Sequence, residues 1–282
     1  MPAINAITSD KLARLIGTPN CPAIIDVRTA DDFAADSRHL PGALRRDPAA
    51  VGDWACEFAG RNAVIAGQHG RALSEGVAAW LRHEKTSAEI LDGGIIGWAT
   101  AELPMVPDTM LPRRDSQGRT LWVTRARPKV DRIACPWLIR RFVDPHAVFL
   151  FVSPAEVAGV ADRFGAAPFD IEGDDVTWSH DGERCTFDVM VERFGLQSLS
   201  GLARLAEIVR GADTGRPELV PQAAGLLAIS LGLSRMYSDD LAQLEAGMLV
   251  YDALFRWCRD ATHETHDWVS HQSKVSRGKA PA

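Results

Sequence analysis

Over the first hundred residues, short apolar runs alternate with helical spacing. Residues 24–27, 64–66 and 89–91 are mostly apolar runs of strand length, and between the last two Leu73, Val77, Trp80 and Leu81 recur at the period of one helix face. Short buried strands separated by helices predict a mainly parallel sheet covered on both faces, an α/β domain over residues 1–108. The pattern lapses over 109–119, which is rich in Pro, Gly and charge and reads as a linker. It resumes with a strand at 121–124, a helical segment at 131–142 and a nearly all-apolar strand at 147–152. A helix that starts at Pro136 would have Cys135 as its cap, whereas one that starts at Asp131 would be kinked by Pro136. Past residue 195 the spacing is helical: Leu202, Leu205, Ala206 and Val209 share one face, and Leu227, Ala228 and Leu231 another. Ser238 is the expected cap of a last long helix whose stripe is Leu241, Leu244, Met248, Tyr251, Phe255 and Cys258. The second domain, 120–269, is thus read as mostly helical α+β. Residues 270–282, polar and mildly basic, are expected to be a disordered tail.

Composition sharpens this picture at three points. A chain of 282 residues, 46% hydrophobic and 24% charged, suits two globular domains rather than one. Its net charge of −6 offers nucleic acid little general attraction. The charge is uneven, however: residues 111–141 hold Arg113, Arg114, Arg119, Arg125, Arg127, Lys129, Arg132, Arg140 and Arg141 against Asp115 and Asp131. That segment therefore carries about +7 and the remainder about −13. Five widely spaced cysteines, an odd number, do not form a disulfide framework. With no signal-like start and no apolar run near the roughly 18 residues of a membrane helix, the expectation is a reduced, cytoplasmic protein with no membrane partner.

Two families are visible in the motifs. Ile24-Ile25-Asp26-Val27-Arg28, Asp32-Phe33, His39-Leu40-Pro41-Gly42-Ala43, Asp92-Gly93-Gly94, Trp98 and Leu103-Pro104 resemble a rhodanese domain over about residues 5–106. The resemblance implies a parallel-sheet fold, and a sulfur-carrying cysteine at the head of the loop Gly67-Gln68-His69-Gly70-Arg71. Here that position is Gly67, so sulfurtransferase activity at the usual site is not expected. The runs 122–142, Cys185-Thr186-Phe187-Asp188 and Ala228-Ile229-Ser230-Leu231-Gly232-Leu233 resemble the ChrB-type chromate-resistance domain, from about residue 120 to Trp268. That resemblance implies a part in chromate resistance or the response to chromate, beside a chromate efflux system.

Candidate chemistry centres on the basic segment. Arginine presents a planar fork of donors that suits small oxyanions. On an extended chain Arg125, Arg127 and Lys129 would alternate onto one face, with Arg132 in the following turn. These four are the candidate site for chromate or a sulfate-like anion. Cys135, at a helix N-terminus near Arg132, would have a lowered pKa and is the candidate redox group, with Cys185 as its partner. The loop Gly67–Arg71 offers a second anion cradle of backbone N–H groups, aided by His69 and Arg71. Asp170, Glu172, Asp174, Asp175 and Asp188, and separately His263, Glu264, His266 and Asp267, are of types that bind Zn, Mn or Fe. None has the spacing of a zinc ribbon or an HExxH helix, and no metal or cofactor is assigned. The expected function is oxyanion binding in chromate resistance with an inactive rhodanese-like module. The alternatives are a chromate-reducing or atypical sulfur-transfer enzyme, and a chromate-responsive transcriptional regulator that binds nucleic acid.

Overall fold

The computed structural model describes residues 5–173 and 176–265. Its first half holds strands β1 (Ala6–Ile7), β2 (Ala23–Asp26), β3 (Arg38–His39), β4 (Ala43–Arg45), β5 (Asn62–Ala66), β6 (Ser87–Leu91) and β7 (Val106–Pro107). Helices α1 (Ser9–Leu15), α2 (Ala30–Ala35), α3 (Val51–Trp54), α4 (Ala72–His83) and α5 (Gly94–Thr100) intervene. Five strands form one sheet in the order β1-β6-β5-β2-β4, every neighbouring pair parallel. This is the α/β arrangement that the alternating pattern predicts. The short pair β3-β7 is antiparallel and sets His39 Nε2 2.8 Å from Asp108 Oδ1. At the end of β2, Asp26 and Arg28 are both buried. Arg28 donates through Nε and Nη2 to Asp26 and through Nη1 and Nη2 to the carbonyls of Asp36 and Arg38, so every edge of the guanidinium is used.

The second half holds β8 (Leu121–Arg125), β9 (Val148–Val152) and β10 (Ala167–Pro168), a small parallel sheet in the order β10-β8-β9. Around it lie α6 (Asp131–Phe142), α7 (Val157–Phe164), α8 (Thr186–Arg193), α9 (Leu202–Asp213), α10 (Pro221–Met236) and α11 (Asp240–Asp260). Trp137 and Phe142 of α6 pack against Tyr251 and Phe255 of α11. Trp137 Nε1 and the Arg141 guanidinium both donate to Asp252, tying the same two helices with three bonds of 2.8 Å.

Apolar contact does not stop between the halves. One buried cluster runs from Leu12, Ile16, Leu40 and Trp98 to Trp137, Phe142 and Phe255. Gly42 N–H donates to the Phe142 carbonyl at 2.7 Å, and Arg259 reaches the carbonyl of Arg14. Gly17, with φ +78°, lies where a Cβ would run into the rings of Phe142 and Phe255, so the contact requires a residue without one.

Three local readings of the pattern are corrected. In α4 the buried face is Ser74, Val77, Ala78 and Leu81, while Leu73 and Trp80 are exposed. In α10 the buried positions are Ala223, Leu226, Ser230 and Ser234, and Leu231 faces solvent. Two serines sit inward there because their hydroxyls serve the loop before α6: Val130 N–H donates to Ser230 Oγ, and Arg127 Nη2 lies 3.4 Å from Ser234 Oγ. The cap of α11 is Asp239, which accepts from Ala242 N–H, rather than Ser238.

Candidate functional site

The basic segment folds into two separate groups. Arg125 is the last residue of β8, where strand alternation ends, and Arg127 takes a left-handed φ of +57°. The two side chains therefore do not share a face. Arg125 Nη2 donates to the Asp170 carbonyl at 3.0 Å and lies 3.4 Å from its Oδ2. Arg132 Nε lies 3.2 Å from the same Oδ2, and its Nη1 donates to the carbonyls of Arg125 and Ala126. Arg127 turns the other way and holds the carbonyls of Ser234 and Tyr237 at the end of α10, satisfying acceptors that the helix leaves over. With Lys129 and Arg235 it lines an open hollow of about 540 Å³, floored by Leu231, Gly232 and Ser234. Among the described residues neither Lys129 nor Arg235 is paired with a carboxylate. Sequence reasoning passed over Arg235 because it lies a hundred residues away on α10.

Loop 126–130 is also fixed from α11. Gln243 Nε2 donates to the Pro128 carbonyl at 2.6 Å, and Tyr251 Oη donates to the Val130 carbonyl at 2.9 Å. Val130, a β-branched residue, is held at φ +23°, and strain of this kind persists only where the surroundings over-determine it. The next residue, Asp131, opens α6.

Cys135 lies within α6, not at its cap, because the helix begins at Asp131 and runs through Pro136. Its thiol is fully buried. Burial pushes the thiol well above its ordinary pKa, and the nearby Asp131 and Asp170 push it further. This is the reverse of the low-pKa thiolate expected of a capping cysteine. Cys185, the N-cap of α8, is likewise raised by burial and then by Asp131.

A second cluster forms where Asp170 meets Asp131, His180 and Asp213. His180 Nε2 lies 3.2 Å from Asp213 Oδ2, 3.4 Å from Asp170 Oδ1 and 3.7 Å from Asp131 Oδ2. One ligand atom from each of the four falls within 4.8 Å of the others. Asp131 is wholly buried, and burial followed by the charges of Asp213 and Asp170 raises its carboxyl well above the usual range. Hydrogen bonds to Asp170 and Asp213 push His180 up to about 10. Asp170 and His180 stand in the loop region after β10, Asp131 starts α6 and Asp213 ends α9, so no short motif announces the group. Of the other acidic candidates, Glu172 is exposed, while Asp188 caps α8 by accepting from Cys185 N–H. Exposed His263 and Glu264 do not join the cluster. Asp174, Asp175, His266 and Asp267 lie outside the described residues.

In the first half, the loop after β5 is pressed against α5. The carbonyls of Gly67 and Gln68 accept from Ile95 and Ile96 N–H at 2.9 and 3.1 Å. Gly67 is buried, and His69 and Arg71 are exposed. A Cβ built on Gly67 would fall well under 3.0 Å from Ser74 Oγ, so the Ser74 side chain stands beside the place a cysteine would occupy.

Residues 122–258 match the model described as ChrB, C-terminal domain, and residues 8–101 the rhodanese-like domain. The chain carries a rhodanese-like domain followed by a ChrB C-terminal domain. Protein ChrB of Cupriavidus metallidurans is 40% identical over 148 residues, which make up 51% of this chain and 43% of that protein. The chain thus spans under half the length of this relative. Among solved structures, SSP1007 from Staphylococcus saprophyticus is 25% identical, with 34% of this chain and 93% of that one covered, at a TM-score of 0.30. A rhodanese-like domain protein from Staphylococcus aureus is 24% identical, with 34% and 91% covered, at 0.31. Both arginine groups and the Asp–His cluster lie inside the ChrB-matched span, and loop Gly67–Arg71 lies inside the rhodanese-matched span. No helix among the described residues is long and apolar enough to cross a membrane.

Proposed function

We propose that this chain acts in chromate resistance by binding chromate, or a sulfate-like oxyanion, on its ChrB-type domain. The observation that carries the reading is the hollow where Arg127, Lys129 and Arg235 converge with no carboxylate in its lining. Three cations around one concavity favour a small dianion, and the open mouth allows exchange with solvent. Arg125 and Arg132 act differently. Both face Asp170, so they neutralise a buried carboxylate rather than a guest.

The rhodanese-like module serves as a binding or docking domain without sulfur transfer at position 67. Glycine supplies no nucleophile, and the exposed Cys56 lies on a separate segment before β5. The continuous core ties this module to α6 and α11, consistent with a supporting role for the anion-binding half.

Calorimetric titration of the full chain with chromate and with sulfate tests the reading. Chromate should bind, more weakly as salt rises, since exposed charges are screened. Lys129→Ala combined with Arg235→Ala should weaken binding at least tenfold. No heat from the native chain, or an unchanged affinity in the double variant, refutes it. A thiosulfate-to-cyanide assay of the native chain should give no turnover above background.

A further inference from the structure

We propose that Asp131, Asp170, His180 and Asp213 form a binding site for one divalent transition-metal ion, of the Zn2+, Mn2+ or Fe2+ class. Nothing in the oxyanion reading requires it, and the two stand or fall separately.

Geometry gives the first argument. Ligands held about 2.1 Å from a four-coordinate ion lie about 3.4 Å from one another. His180 Nε2 is 3.2, 3.4 and 3.7 Å from the three carboxylate oxygens. Those three spacings are close to that value, and all four atoms lie within 4.8 Å of one another, so an ion among them would draw the carboxylates slightly inward. Calcium would need six to eight oxygens at longer range.

The second argument is independent of the spacing. Asp131 is fully buried and reaches into the cluster, yet its Oδ1 has no hydrogen-bond partner among the described residues. A buried carboxylate oxygen without a donor is costly, and buried charges are paired or coordinate metals. The other oxygen, Oδ2, is the one 3.7 Å from His180, and it accepts from Phe187 N–H at 3.2 Å, so the carboxylate is anchored at the cluster with Oδ1 unanswered.

Charge placement agrees. Asp213 is the last residue of α9, at the negative end of the helix dipole, where a carboxylate is unfavourable unless a cation is near. Three carboxylates and one imidazole are hard to borderline donors, which favour the proposed ions over soft ones. The outer shell is built as well. Asp170 keeps Oδ1 toward the cluster while its Oδ2 faces Arg132 and Arg125, and Thr186 Oγ1 lies 3.3 Å from Oδ1. Such partners fix the orientation of a ligating carboxylate. An ion here would clamp the start of α6, the strand end after β10, the loop before α8 and the end of α9.

The full chain, stripped with a chelator and desalted, is titrated separately with Zn2+ and Mn2+ while bound metal and thermal melting are followed. One ion per chain and a higher melting midpoint are expected, and pulsed EPR of the Mn2+-loaded native chain should show coupling to a single imidazole nitrogen. His180→Gln at an exposed position and Asp213→Asn at a partly buried one should each weaken binding at least tenfold, with His263→Gln unchanged. Failure of both ions to bind at one per chain overturns the site. So does native affinity in the His180 and Asp213 variants, loss in His263→Gln instead, or an EPR signal with no nitrogen or with several.

Discussion

Introducing a cysteine at position 67 would measure how tightly the rhodanese-like loop is packed there. In Gly67→Cys the new Cβ falls well inside the contact distance of Ser74 Oγ, and Ser74 is almost wholly buried on the inner face of α4. Gly67 is not among the positive-φ residues, so the backbone itself accepts a side chain. The cost is then one of overpacking, about 1–3 kcal/mol. For a chain of this size each kcal/mol corresponds to about 2–4 °C in melting midpoint, so a drop of several degrees is expected. Ser74→Ala removes the oxygen in the way and leaves a gap no larger than a hydroxyl. Combined with Gly67→Cys it should recover most of the loss, giving a coupling energy of about 1–2 kcal/mol between the two positions. The assay is a four-protein cycle of native chain, two single variants and the double variant, followed by urea unfolding and thermal melting. Native stability in Gly67→Cys, or additive effects across the cycle, would refute the reading that Ser74 fills the space a side chain at position 67 needs.

Two further outcomes follow from buried polar groups. Asp252→Ala strips partners from both Trp137 Nε1 and the half-buried Arg141 guanidinium, and should lower stability by about 3–5 kcal/mol in urea unfolding, whereas a loss under about 1 kcal/mol would mean the network is idle. Burial lowers the pKa of His39 while its bond to Asp108 opposes the shift. Its stabilising contribution is therefore present above the unfolded value near 6.5 and is lost as pH falls through the lower folded value. NMR titration should place the His39 midpoint below about 6.5, with Asp108→Asn moving it lower still and a midpoint above that value contradicting the account.

Much of the first domain was legible because its signals are local. The apolar run before Asp26 and Arg28, the strand before Gly67 and the turn at Gly93-Gly94 each declare an element within a few residues. The span of α6 and the stripe Leu244, Met248, Tyr251, Phe255 were legible for the same reason. What failed was long-range. An apolar count could not have chosen the Ser230 and Ser234 face of α10, since their hydroxyls face a loop a hundred residues earlier. Of the two helix starts the sequence allowed, the one at Asp131 is realised, which puts Cys135 inside α6 rather than at its cap, because Pro136 is a helix-start signal only when nothing upstream starts the helix first. His180 and Asp213 carry no local mark at all; only the tertiary fold brings them to Asp131.

The same long-range logic explains why a basic run does not make a single anion site. Within residues 125–132, four cations are close in sequence, but the carboxylates that answer them are not. Asp170 arrives from beyond β10 and takes Arg125 and Arg132, while the α10 carbonyls take part of Arg127. A guanidinium already facing a buried carboxylate has little left for a mobile dianion, because releasing it would strand the carboxylate without a partner. Of the cations lining the hollow, Lys129 and Arg235 have no carboxylate partner among the described residues, and Arg235 lies far outside the basic run. The segment thus separates two kinds of charge: an exposed positive hollow on α10, and a buried negative cluster around Asp131 with Arg132 at its edge. Sequence charge sets how many ions a segment carries, and the placement of counter-charges decides which remain available.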